Sequence, residues 1–130
     1  MGKARHQAIV LDAGALIAFE RADPKMRALL REVARARIRL VVPAGVVAQV
    51  FRDRARQAPL CGLLNAETTV VPELDRALAE AAGSLCGKAG TRDIVDASVV
   101  LVAKRERALI VTTDVDDLRA LDPSATLERI

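Results

Sequence analysis

The stretch Ala8-Ile9-Val10-Leu11-Asp12-Ala13-Gly14 decides the fold class. Its four consecutive aliphatic residues predict a strand that is buried on both faces, and the polar and small residues that follow indicate a turn into a helix. A second apolar run, at 108–111, is followed by Thr112-Thr113-Asp114. Strands that read as solid apolar runs are typical of a parallel sheet covered by helices.

The rest of the chain alternates between strand and helix patterns. We expect further strands at 38–42 and 68–71 and an edge strand at 126–130. Helices are expected at 15–20, 24–37, 44–57, 58–65, 72–85, 93–107 and 115–121, with Gly83, Gly87 and Gly90 as a loosened segment. This alternation predicts one domain, residues 1–130, with the fold of a three-layer α/β/α sandwich around a mainly parallel sheet.

Composition narrows the class of protein. Of 130 residues, 52% are hydrophobic but only 2% aromatic, which predicts an aliphatic core and excludes a disordered chain. No apolar run approaches the ~18 residues of a membrane span, and no signal peptide precedes the first strand, so we expect a cytoplasmic protein. Cys61 and Cys86 lack metal-ligand spacing and are expected to be buried free thiols. His6, the one histidine, is expected to be inert.

The chain is basic, with a net charge of +3 and a pI of about 9.3. Sixteen of its 20 basic residues are arginines, which suit contact with phosphates. The candidates are Arg52, Arg54 and Arg56 on the helix expected at 44–57, and Arg27, Arg31 and Arg35 on the helix before it. An arginine-rich solvated surface is the alternative, and charge alone does not choose between the two.

Aspartates stand where a parallel sheet places its ligand site. Asp12 and Asp114 follow strands, while Asp93 and Asp96 lie three apart at the start of a helix. Converging carboxylates repel each other, and a hard divalent cation such as Mg²⁺ or Mn²⁺ relieves that repulsion and can activate water toward a phosphodiester. Each aspartate could instead cap a helix, as could Asp116 and Asp117.

Four segments together resemble the PIN domain family, and most closely the VapC-type toxin ribonucleases of bacterial toxin-antitoxin pairs. The matching segments are 9–19, 42–50 with the sequence VPAGVVAQV, 93–97 with the sequence DIVDA, and 109–114 with the sequence LIVTTD. No one of them is specific alone, but their order and spacing agree over nearly the whole chain.

The resemblance implies a set of site residues. It places the metal-binding and catalytic aspartates at Asp12, Asp96 and Asp114. Supplementary roles fall to Asp93, Asp116, Thr113 and Gln49. Gln49 departs from the family pattern, which usually has a glutamate there, so the site is expected to bind metal more weakly. Arg52 and Arg56 are the expected RNA contacts.

The implied activity is that of an endoribonuclease that uses Mg²⁺ or Mn²⁺, forms a homodimer and is held inactive by a cognate antitoxin protein. The alternative is a PIN-like module that binds RNA or protein and is weakened or inactive because of Gln49. Action on DNA ends is less favoured, because the chain lacks the length for a helical arch. A P-loop at 83–89 is disfavoured by its spacing and by Ala89 in place of a hydroxyl.

Overall fold

The computed structural model describes residues 7–130, so the expectation for His6 lies outside the described residues. Five strands form one sheet in the order β3-β2-β1-β4-β5, and every pair is parallel. The elements are β1 (Ala8–Leu11), α1 (Ala13–Glu20), α2 (Pro24–Arg35), β2 (Arg39–Val41), α3 (Ala44–Val50), α4 (Ala58–Leu64), β3 (Thr69–Val70), α5 (Arg76–Ala89), α6 (Ile94–Glu106), β4 (Leu109–Thr112), α7 (Val115–Leu121) and β5 (Leu127–Arg129).

The predicted three-layer α/β/α fold is confirmed. Right-handed crossovers put α1 to α4 on one face of the sheet and α5 to α7 on the other, because the chain reverses direction across the sheet after β3. Strand β1 lies in the centre, between β2 and β4, and all four of its residues are buried. The four consecutive apolar residues of β1 are therefore explained by burial on both faces, as predicted.

The helix expected at 44–57 is wrong in its second half, because α3 ends at Val50 and Phe51 is extended. The Gln57 side chain stabilises the break. Its Oε1 accepts from the backbone N–H groups of Arg52 and Asp53 at 2.7 and 3.0 Å, and its Nε2 donates to the Val50 carbonyl at 3.0 Å. A local side-chain network thus replaces the helical hydrogen bonds that the periodicity predicted.

The helix expected at 72–85 is displaced toward the C-terminus. Asp75 caps α5 by accepting from the Leu78 N–H at 2.8 Å, and Gly90 ends the helix in the left-handed conformation at φ 73°. Gly83 and Gly87 therefore lie inside the helix, and only Gly90 loosens the chain. Leu74, which falls inside the helix expected at 72–85, precedes α5 and is 41% exposed.

The core is aliphatic, as predicted, and the two phenylalanines only border it. Cys86 is buried and Cys61 half-buried, and both are free thiols. The expectation of two buried thiols is correct for Cys86 alone. Within residues 7–130, no helix has the length and apolar character required to cross a bilayer.

Candidate active site

Asp12 lies at the end of the central strand and is 3% exposed. It caps α1, because its Oδ1 accepts from the Ala15 N–H at 2.9 Å. Its Oδ2 accepts a hydrogen bond from the Thr112 hydroxyl of β4. The capping role considered from the sequence is therefore correct, and the same carboxylate also reaches the neighbouring strand.

Thr112 connects the two strand ends. Its fully buried hydroxyl donates to Asp12 and accepts from the backbone N–H of Asp114 at 2.8 Å. This hydroxyl therefore orients the carboxylate of β1 and the backbone that carries Asp114. The family resemblance had placed the supplementary threonine of the site at Thr113 instead. The signal for Thr112 is its place as the last residue of a buried strand, opposite Asp12.

Thr113 is exposed and lies over α1. A β-carbon added at Gly14 would overlap the Thr113 hydroxyl and come within 3.2 Å of its Cβ. Glycine is therefore required at this close approach of α1 to the segment after β4. Thr113 contributes to the packing of the two elements, and its hydroxyl is not the one bound to Asp12.

The start of α6 brings a second pair of carboxylates to the same edge of the sheet. Asp93 caps α6 by accepting from the Asp96 N–H at 2.9 Å, and this matches the cap considered from the sequence. Asp96 is half-buried in the first turn, whereas Asp93 is exposed. Since α6 contacts β1 and β4, its first turn faces the strand ends.

Three carboxylates form the tightest acidic group among residues 7–130. Asp96, Asp114 and Asp117 each offer an oxygen within 4.8 Å of the others. Asp114 directly precedes α7, and its side chain makes no capping hydrogen bond to the backbone of that helix. The sequence indicated Asp117 only as a possible cap, and the resemblance placed the supplementary role at Asp116, which is exposed and outside this group. Asp117 lies three residues, about one helical turn, after Asp114. This spacing is the sequence signal that could have predicted that the two carboxylates are close together.

Crowding and burial raise the pKa values of these acids. The pKa of Asp96 rises to about 7, first because the group is desolvated and then because Asp93, Asp12 and Asp114 are close. Hydrogen bonding with Asp117 and desolvation raise the pKa of Asp114, and burial raises that of Asp12. The shifts of Asp96 and Asp114 include repulsion from neighbouring carboxylates, which a bound cation would offset.

Gln49 lies on α3 and is exposed. Gly45, one turn earlier on the same face of α3, packs against the first turns of α6, where its β-carbon would lie 3.6 Å from Val95 and 3.8 Å from Ser98. The face of α3 that carries Gln49 thus adjoins the start of α6. The Gln49 side chain is a neutral amide. The acidic group therefore has carboxylates from α6, from α7 and from the segment between β4 and α7, but none from α3.

Arg52 and Arg56 do not lie on a helix face, contrary to the sequence-based expectation. Arg52 donates to the carbonyl oxygens of Ala48 and Phe51 at 3.1 and 2.7 Å, which satisfies the end of α3. Arg56 forms an exposed 3.6 Å ion pair with Asp53. Asp53 lies beyond the end of α3 and is the partner of this ion pair.

The donor set fits a hard divalent cation. Asp96, Asp114 and Asp117 offer only carboxylate oxygens, and Asp12 adds negative charge behind them. Such ligands suit Mg²⁺ or Mn²⁺ and do not suit soft metals. Beside the group, Asp93, Asp96 and Asp117 line a cavity of about 170 Å³, which leaves room for a cation with its waters.

Comparisons with known proteins agree with this architecture. Residues 9–122 match the family model described as PIN domain. The structure is similar to VapBC2 from Rickettsia felis bound to a DNA fragment from their promoter, with a TM-score of 0.72 and 15% identity over 95% of this chain and 98% of that one. No curated protein gives a significant match.

Two further solved structures are similar. FitAB bound to an IR36 DNA fragment has a TM-score of 0.64 and 15% identity, and the match covers 93% of this chain and 94% of the other. FitAcB from Neisseria gonorrhoeae has a TM-score of 0.60 and 16% identity, covering 92% and 95%. At these identities the likeness establishes the shared fold.

Proposed function

The chain belongs to the PIN domain family, and on that premise we propose that it is a metal-dependent endoribonuclease of the VapC toxin type. The observation that carries the proposal is the group of Asp96, Asp114 and Asp117 at the carboxyl edge of the sheet, backed by the buried Asp12. These carboxylates would hold Mg²⁺ or Mn²⁺. A cation bound there supplies charge neutralisation and activation of water for attack on a phosphodiester.

The protein's own residues prepare the site. Thr112 holds Asp12 and the Asp114 backbone in fixed positions, so the site requires little reorganisation when a cation and substrate bind. Asp93 is positioned beside Asp96 by its capping hydrogen bond and adds negative charge. The role proposed for Asp12, Asp96 and Asp114 is metal binding and catalysis, and Asp117 joins them as a fourth ligand.

Gln49 supports the second candidate, a PIN-like module that binds RNA or protein without efficient cleavage. An amide in place of a carboxylate lowers the attraction for a cation and removes a group that could accept a proton from water. The position of Asp117 favours the nuclease instead. Its carboxylate supplies from α7 a negative charge that α3 lacks.

The proposed partners follow from the family and the matched complexes. VapBC2 and FitAB are toxin-antitoxin complexes bound to DNA, and we extend an antitoxin partner to this chain on that analogy. A homodimer and an RNA substrate belong to the same proposal. A basic antitoxin side chain among the aspartates would neutralise the charge that otherwise attracts the cation.

The deciding experiment measures cation binding and RNA cleavage on the same samples. Isothermal titration calorimetry with Mg²⁺ and Mn²⁺ compares the wild type with the Asp12→Asn/Asp96→Asn variant, and cleavage of total RNA follows. We expect binding and cleavage in the wild type and the loss of both in the variant. No binding to the wild type at millimolar metal would reject the nuclease and favour the binding module.

A further inference from the structure

A second cavity lies at the opposite edge of the sheet from the acidic group. It occupies about 310 Å³ between the end of α6 and the segments that lead into β4 and β5. Lys104 and Arg107 of the α6 end line one side, and Ser124 and Thr126 line the other. The cavity thus combines two cations with two hydroxyl groups. Ser124 and Thr126 also lie beyond the segment that matches the family model.

The two cations are available to a ligand. Within residues 7–130 neither Lys104 nor Arg107 forms an ion pair, and residues 1–6 contain no acid. Glu106, the carboxylate nearest in sequence, pairs with Arg39 at 2.6 Å and with Arg105 at 3.6 Å. The Glu106 carboxylate therefore neutralises other arginines and not Lys104 or Arg107.

Asp122 is the one acid that lines the cavity. Its Oδ1 accepts from the Ser124 N–H at 3.0 Å and from the Ser124 hydroxyl at 2.7 Å, so the carboxylate is used to hold the turn after α7. Two cations face this single anion, and the lining keeps a net positive charge. Val100, Ala103 and Ala125 add apolar surface to the same cavity. Its chemistry suits an anion that carries an apolar part.

The basic cavity and the acidic group lie near opposite ends of α6. Asp96 is in the first turn and Lys104 in the last, and Val100 midway between them is buried. Asp96 and Lys104 are separated by a rise of ~12 Å, which is about three to four stacked nucleotides. Leu121 lines the cavity beside the acidic group and Asp122 lines the basic cavity, so both cavities adjoin the end of α7.

We propose that this basic cavity binds a nucleotide of the RNA strand, a few nucleotides from the phosphodiester that the acidic group attacks. Lys104 and Arg107 contact its phosphate, the Thr126 hydroxyl donates a hydrogen bond, and Ala125 packs against its apolar surface. The choice of RNA rests on the proposed function. The acidic group repels the RNA backbone unless a cation is bound, and a positive site farther along α6 offsets that repulsion.

The test is binding of a fluorescent single-stranded RNA 12-mer in EDTA, where no cleavage occurs. The variant Lys104→Gln/Arg107→Asn removes both charges, and asparagine tolerates the left-handed backbone at residue 107, where φ is 54°. The control variant Lys25→Gln/Arg37→Asn removes two exposed charges from the two ends of α2, with the same change in net charge and the same substitution at a left-handed residue, since φ of Arg37 is 56°. Circular dichroism melting checks that each variant folds.

We expect at least a tenfold loss of affinity in the cavity variant and less than threefold in the control. The slope of log affinity against log salt concentration should fall by about 1.4 for two lost contacts with a single strand. Equal losses in the two variants would overturn the proposal, because binding would then follow net charge alone. Binding of adenosine monophosphate that depends on Lys104 and Arg107, without an effect on the 12-mer, would also overturn it.

This experiment separates the cavity from the nuclease. The Asp12→Asn/Asp96→Asn variant should lose cleavage while its RNA binding in EDTA still depends on Lys104 and Arg107. If the wild type cleaves no RNA but shows the cavity-dependent binding, the proposed function fails and the binding site stands. If the wild type cleaves RNA and the cavity variant binds and cleaves like the control, the binding site alone is rejected.

Discussion

Two regions at the carboxyl edge of the sheet differ in how they present their polar groups. At the ends of β1 and β4, Asp12 is buried and held by Thr112, which also fixes the backbone of Asp114. At the end of β2, α3 presents Gln49, which is neutral and exposed. The first region carries charge in fixed positions, and the second carries an uncharged amide.

This difference between the two regions shows that the negative charge of the site depends on residues at strand ends and on helices α6 and α7. Residues that end central strands are positioned by the sheet hydrogen bonds and by buried contacts, so their side chains have little freedom. A helix residue such as Gln49 can change without disturbing the core, while Asp117 of α7 adds a carboxylate from another helix. The acidic group therefore lies on the α6 and α7 side of the carboxyl edge, away from Gln49 of α3.

The largest effect is expected for Asp12→Asn. The variant keeps the cap of α1, because asparagine is an equally good N-cap, but it removes the buried negative charge. We expect metal-dependent cleavage to fall by at least ~100-fold. Asp23→Asn is the matched control, since Asp23 caps α2 in the same way and lies outside the acidic group. Steady-state cleavage rates that fall equally in both variants would assign Asp12 a structural role only.

Thr112→Val tests the connection between the two strand ends. The substitution leaves Asp12 without its hydroxyl donor and the Asp114 N–H without an acceptor, at a cost of about 1–3 kcal/mol in the free energy of unfolding. Metal affinity should fall ~10- to 100-fold, as for other residues that orient ligands. Thr113→Val is the control, and urea unfolding with calorimetry measures both quantities. Unchanged metal affinity in Thr112→Val would contradict the orienting role.

The raised pKa of Asp96 predicts how stability depends on pH without metal. Because the pKa rises from 3.8 in a free group to about 7 in the folded protein, the folded state binds the proton more tightly. This stabilisation is complete below pH ~3.8 and is lost as the pH rises through 7. In EDTA, the melting temperature of Asp96→Asn should therefore increase relative to wild type between pH 5 and 8. A constant difference would contradict the shift.

The smallest effect is expected for Gln49→Glu, which adds a carboxylate to the second region. Metal affinity should rise by up to ~tenfold, and cleavage should increase with it. Gln7→Glu adds the same charge just before β1, at the opposite edge of the sheet, and should change neither quantity. Unchanged metal affinity and cleavage in Gln49→Glu would contradict this prediction and indicate that Asp117 already completes the site.

Several features could be predicted from sequence because each depends on a local pattern. The apolar run of β1 predicts its burial, and the aspartates after β1 and β4 predict an acidic edge. The end of α3 could not be predicted in this way, because the side chain of Gln57 replaces the hydrogen bonds of a longer helix. The RNA contacts expected from Arg52 and Arg56 on that helix lose their geometric basis for the same reason.

The sequence alone determined the order of strands and helices, the parallel sheet and the family, because hydrophobic periodicity and strand-end residues are local properties of the chain. Only the tertiary structure decided which acids meet. Asp117 joins Asp96 and Asp114, Asp116 stays outside, and Thr112 rather than Thr113 binds Asp12. These distinctions depend on how α6, α7 and β4 pack at one edge, since neighbouring residues in a chain point to different sides of their elements.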